Sequence, residues 1–180
     1  DSLALGWMQT QLAALYKERT LSLGYGRVWN ERLAFGAALK QPQITEQAPP
    51  LNYTNSGAVT GAADPVFAGG ESASGLGLDL GVLYEPAGGY RLGLSLQNIN
   101  QTKVSLAGSD KAPAVVRLGA ARRSSELLLV SELRTREFTG GSRDYEAVLG
   151  AERWWRPGKT SSFALRGSLA AGNRSFRQFT

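Results

Sequence analysis

The amino-acid sequence predicts an all-β fold, an antiparallel up-and-down transmembrane β-barrel with about nine strands readable in this chain. Three observations predict it. Apolar residues alternate with small or polar ones at a period of two, segment after segment. The segments run to about ten residues, the length a tilted strand needs to cross the hydrocarbon layer, against about five or six in soluble sheets. Short connections rich in Pro and Gly alternate with longer ones, as they do when successive turns fall at opposite ends of a barrel.

Taken in order, residues 1–10 carry no readable pattern and 11–17 read as a weak first strand. Segment 20–28 sets Leu21, Leu23 and Tyr25 against Ser22, Gly24 and Gly26. Segment 32–40 sets Leu33, Phe35, Ala37 and Leu39 against Ala34, Gly36, Ala38 and Lys40. Residues 42–73, rich in Pro, Gly, Ala, Ser and Asn, read as a long external loop with room for a short extra hairpin. Segments 75–84 and 90–98, joined by EPAGG, form the clearest hairpin: Leu76, Leu78, Leu80, Val82 and Tyr84, then Tyr90, Leu92, Leu94 and Leu96, share one face. Strands at 113–122, 126–136, 145–155 and 162–171 follow with the same contrast. The whole of 1–180 is read as one barrel domain, and as part of a larger barrel, because bacterial single-chain barrels are almost always even-numbered and an open sheet edge in lipid is costly.

Alternation alone leaves open which face is outside. The face opposite the leucines is rich in Gly, Ala and Ser with scattered charge, which suits a crowded lumen better than a water-facing soluble sheet, since Gly weakens strands. Aromatics collect near strand ends: Tyr25, Trp29, Tyr84, Tyr90, Trp154 and Trp155 are candidates for the interfacial girdle. Arg122 and Arg153 share the leucine parity but lie at strand ends, where they can snorkel to the interface. The candidate lumen-facing set is Asp79, Ser95, Gln97, Arg117, Glu132, Arg134, Glu146, Glu152 and Arg166, with Glu152 placed to pair with Arg166 and Arg134 with Glu146 across neighbouring strands. That set reads either as a charge ladder bracing the lumen or as a lining that contacts a transported solute or peptide.

The chain has neither Cys nor His, so thiolate chemistry, a Ser-His-Asp triad and His-based metal sites are all excluded within it. No enzyme, cofactor or metal centre is expected. Asp64, Glu71, Asp110 and Asp144 are read as solvated loop charges able to bind a cation only loosely. The glycines of GLGLDLG alternate inside a strand and do not open a helix, so they are no dinucleotide fingerprint. NYT (52–54) and NQT (100–102) fit the glycosylation acceptor pattern by chance. A net charge of +5 and a sequence pI near 9.7 raise the question of nucleic acid, but the Arg residues are dispersed and no nucleic acid is expected as a partner.

The hairpin LGLDLGVLYEPAGGYRLGLSLQNIN (76–100) and the following APAVVRLGAARRSSELLLVSEL (112–133) resemble a strand series of the PorV/PorQ-like outer-membrane proteins, related to the FadL transporters; AVLGAERWW and FALRGSLAAG extend the likeness. Conjugal-transfer barrel proteins share a similar pattern. The resemblance implies a barrel of about fourteen strands, a bacterial outer-membrane location, and a porin-like transport or protein-secretion role. Its partners would be outer-membrane lipid and other envelope or secretion-system proteins. The alternatives are a structural or scaffolding barrel subunit of a cell-envelope assembly, and a soluble β-rich binding module.

Overall fold

The computed structural model describes all residues except 14, 49–51, 54–55, 61–63, 107–110, 138–140, 159–160, 174–176 and 180. Its strands are β1 (Ser2–Leu12), β2 (Tyr16–Asn30), β3 (Leu33–Glu46), β4 (Asn52–Tyr53), β5 (Val59–Thr60), β6 (Ser72–Ser74), β7 (Gly77–Tyr84), β8 (Tyr90–Gln97), β9 (Ala114–Arg123), β10 (Leu127–Glu137), β11 (Arg143–Trp155), β12 (Phe163–Gly172) and β13 (Arg177–Phe179). Ten of them form one antiparallel sheet in the order β1-β2-β3-β7-β8-β9-β10-β11-β12-β13, with β6 pairing to β3 off that path. The sheet is open: among the described residues β1 and β13 are its two ends and do not pair, so the expected barrel is here an all-antiparallel sheet.

The period-two segments became strands with small changes of boundary. The main correction lies at the start. Residues 11–17 are not one strand: Gln11 and Leu12 end β1, Tyr16 and Lys17 begin β2, Ala13 after β1 has φ 50°, and most of β1 lies in the stretch that carried no readable pattern. The long connection is also shorter than expected. β3 runs on to Glu46, β6 pairs with its end, and a two-residue hairpin, β4–β5, stands apart. The contrast of short and long connections holds for 47–76 and 98–113 but not throughout, since 13–15 and 138–142, at that same end, are short.

The turns at the opposite end are built by local chemistry. Asn30 caps the β2–β3 turn by accepting hydrogen bonds from the N–H groups of Arg32 and Leu33, each at 2.9 Å. One step earlier the register shifts between Val28 and Asn30, a bulge that leaves Trp29 unpaired and tilts its ring against Phe35 at 6.1 Å. In the β7–β8 turn Gly89 has φ 76°, and a Cβ there would stand 2.3 Å from the Arg123 carbonyl oxygen, so no other residue fits.

No dry core forms. Among the described residues the only buried apolar side chain is Val115. The chain exposes 12841 Å², whereas a compact monomer of this mass exposes roughly 8,400 Å². Exposure alternates along the central strands, and the leucines are on the more exposed side. In β3, Phe35, Ala37 and Leu39 are exposed while Ala34, Gly36, Ala38 and Lys40 are half-buried. Among the described elements each strand contacts only its neighbours in its own sheet, so we take the less exposed Gly/Ala face as the concave side of a curled sheet.

Candidate functional site

Two faces of one curled sheet carry the chemistry. Register places every residue of the candidate lumen-facing set on one face, the Gly/Ala side. Ser95 lies opposite Arg117, Arg117 opposite Arg134, and Arg134 opposite Glu146, a polar row across four strands. Arg134 and Glu146 form an ion pair, and Arg166 pairs with Glu152 at 2.5 Å across β11–β12. These are the two pairs the sequence suggested. Gln97 opposes Val115, and Glu132 lies between Gly119 and Val148. Arg117 and Arg134 are like charges in direct cross-strand register, an arrangement that is unfavourable unless neighbours compensate. Glu146 compensates Arg134. The Arg117 Nε is buried with no hydrogen-bond partner.

Asp79 belongs to a second cluster that sequence reasoning missed. Lys40 Nζ stands 2.8 Å from its carboxylate, and the Asn98 backbone N–H donates to it at 2.8 Å. Asn98 is held at φ 51°; its side-chain oxygen accepts from Lys40 and its amide donates to the Pro113 carbonyl. Asn100 donates to the Leu76 carbonyl and accepts from the Leu78 N–H, and the buried Thr102 hydroxyl also donates to Leu76. The segment after β8 is thereby clipped to β3 and β7. Asn100 and Thr102 of NQT are both engaged in that clip, and NYT lies partly outside the described residues.

The candidate cation binders do not gather. Asp64 caps its own turn through the Val66 N–H and Glu71 accepts from the Ala48 N–H, whereas Asp144 lies within β11 and not in a loop. Asp110 lies outside the described residues. No group of three potential metal ligands occurs among the described residues.

The convex face carries the leucines in cross-strand rows, such as Leu5–Leu23–Leu39–Leu78 and Leu94–Leu118–Leu133. Most of its aromatics lie toward the short-turn rim, namely Tyr25, Trp29, Tyr84, Tyr90 and Trp155, with Phe35 and with Phe163, which stacks on Trp155 at 5.2 Å, whereas Trp7 and Tyr145 lie on the same face away from it. Trp154 departs from this group. Adjacent strand residues point to opposite faces, so Trp154 sits on the concave side, where its indole N–H donates to Glu152. Three cations occupy the same convex rim, each over a ring: Arg27 over Trp29 at 5.6 Å, Arg122 over Tyr90 at 5.1 Å and Arg153 over Trp155 at 5.1 Å. The alternation alone puts Arg122 and Arg153 there. Their ring partners emerge only from cross-strand register and local geometry.

A sequence model of the family described as "F plasmid transfer operon, TraF, protein" matches residues 10–131, about two thirds of the chain. Neither curated proteins nor solved structures gave a match. The family match corrects the likeness to PorV/PorQ-like and FadL proteins, and with it the porin-like reading. Residues 76–133 carry alternating Leu and Gly around a Pro-Gly turn, a pattern any strand series with one apolar face produces, and the match covers 76–131 of them with a different family.

Proposed function

The chain belongs to the family described as F plasmid transfer operon, TraF, protein, and on that premise we propose that it is a wall of a bacterial outer-membrane β-barrel with a role in plasmid transfer. The observation that carries the reading is the unburied leucine face. Leu3, Leu5, Leu23, Leu118, Leu133, Leu149 and Leu169 are each about half exposed or more, on an otherwise well-paired sheet. A soluble protein rarely leaves so large an apolar area in water. Acyl chains are the solvent that such a face matches, while the curled inner face, with its ion pairs and small residues, matches an enclosed polar space.

The strand lengths support the same reading, since β1, β2, β3 and β9–β12 have ten or more residues each. The open edges imply that further strands complete the wall, because unpaired N–H and C=O groups in hydrocarbon cost several kcal/mol each. No catalytic step is assigned. Within the barrel reading, the ladder Ser95–Arg117–Arg134–Glu146 lines the interior and braces it.

Membrane fractionation tests the proposal. The protein is expected to sediment with outer membranes, to resist carbonate extraction and to require detergent for release. Recovery in the soluble fraction without detergent would favour a β-rich binding module and sink the barrel. Ion conductance in planar bilayers then separates a conduit, which conducts, from a scaffolding barrel with a filled lumen, which does not.

A further inference from the structure

We infer that the short-turn end of the leucine face holds an anionic phospholipid, with its phosphate on Arg122 and an acyl chain in the groove beside it. The inference rests on the membrane reading above and deepens it. An open groove of about 760 Å³ crosses β9 to β12 on the face that carries Leu129, Leu149 and Leu169. Its floor is low where the leucine rows are interrupted by Ala120, Ser131, Ala151 and Gly167. Small residues in the middle of an otherwise branched apolar surface leave a trough, and its volume lies in the range of ligand-binding sites. At the rim the groove ends against Arg122 and Tyr90.

Among the described residues Arg122 has no counter-ion. Among the described residues no carboxylate lies within 4.0 Å of it, nor of Arg153, although Arg91 on the other face at the same rim pairs with Glu85 at 2.8 Å. The Tyr90 ring holds the Arg122 guanidinium from one side without neutralising it, which leaves its N–H edge for a second partner. A phosphodiester accepts two parallel N–H bonds from a guanidinium, and in a phospholipid it arrives already joined to acyl chains. A water-soluble anion would match the arginine and leave the apolar groove unfilled. A zwitterionic lipid brings its own cation next to the phosphate. Charge and shape together therefore favour an anionic headgroup.

Native mass spectrometry of the detergent-solubilised protein, mixed with dioleoyl phosphatidylglycerol or dioleoyl phosphatidylcholine, tests this. The wild type is expected to retain phosphatidylglycerol over phosphatidylcholine. Arg122→Gln should lower that retention about tenfold, the worth of one charge-assisted contact. Arg91→Gln, at the same rim on the opposite face, should leave it unchanged. Ser131→Leu, which fills the groove and keeps every charge, should lower retention of both lipids and guards against misfolding of the arginine variant. Equal retention of the two lipids by wild type, or retention indifferent to both Arg122→Gln and Ser131→Leu, overturns the inference. The protein's insertion into vesicles of either lipid is measured in parallel. Failure to insert at all refutes the membrane reading, whereas insertion without headgroup preference refutes only the lipid site.

Discussion

Leu118→Arg separates a lipid-facing sheet from a water-facing one. Leu118 sits at the middle of β9, between Leu94 on β8 and Leu133 on β10, and is 55 % exposed. In water, replacing an exposed strand leucine by arginine removes little packing, and a surface substitution of this kind stays within about 0.5 kcal/mol. At the midplane of a bilayer an arginine on the lipid face costs about 2–4 kcal/mol, falling to about 0–1 kcal/mol near the interfaces. That midplane cost converts to roughly 30- to 900-fold in the folding equilibrium. Leu127 supplies the depth control. It lies on the same face at the short-turn end, opposite Arg153, so Leu127→Arg should cost only the repulsion between two facing arginines, below about 1 kcal/mol. Reversible folding into phospholipid vesicles, followed by tryptophan fluorescence against urea, reads both. A large cost at Leu118 with a small one at Leu127 is expected. Equal costs below about 0.5 kcal/mol at both sites would refute the lipid-facing assignment.

Other perturbations address the inner face and the turns, each read by the same urea titration. Glu146→Gln leaves Arg134 facing Arg117 with nothing to compensate it, and is expected to destabilise by about 1 kcal/mol, with partial rescue in the Arg134→Gln double variant; simple additivity would show that the row is not coupled. Asn98→Ala removes the bonds to Lys40 and Pro113 at a left-handed position and should cost about 2 kcal/mol, with faster amide exchange across 98–106. Gly89→Ala, blocked by the Arg123 carbonyl oxygen, should cost about 2 kcal/mol, whereas Gly93→Ala, with open space at its Cβ, should be tolerated; the reverse order would contradict the turn geometry.

Much of the sheet was legible because period two is a local signal. Leu76 to Tyr84 and Tyr90 to Leu96 announce a hairpin within one stretch of chain, and the structure pairs β7 with β8 there. β1 was not legible because its contrast fails midway. Trp7 is followed on its own face by Gln9 and Gln11, while Met8 takes the opposite face. The ion pairs Arg134–Glu146 and Arg166–Glu152 could be anticipated since each joins consecutive strands whose register a short connection sets. The Lys40–Asp79–Asn98 cluster could not, because Lys40 and Asn98 are 58 positions apart and meet only after β3 has found β7. Trp154 and Trp155 were grouped by proximity in sequence, although neighbours in a strand cannot share a face. Whether the sheet closes depends on which edges meet, and no local pattern encodes that.

The absence of cysteine makes the central claim directly measurable. Single cysteines placed in turn from 114 to 123 along β9 and spin-labelled in the membrane-inserted protein report collision with oxygen, which concentrates in lipid, and with a water-soluble nickel chelate. An alternation of period two is expected, with oxygen favoured at Val116, Leu118 and Ala120 and the nickel chelate at Arg117, Gly119 and Ala121. The opposite phase, or access by the nickel chelate at every position, would contradict it.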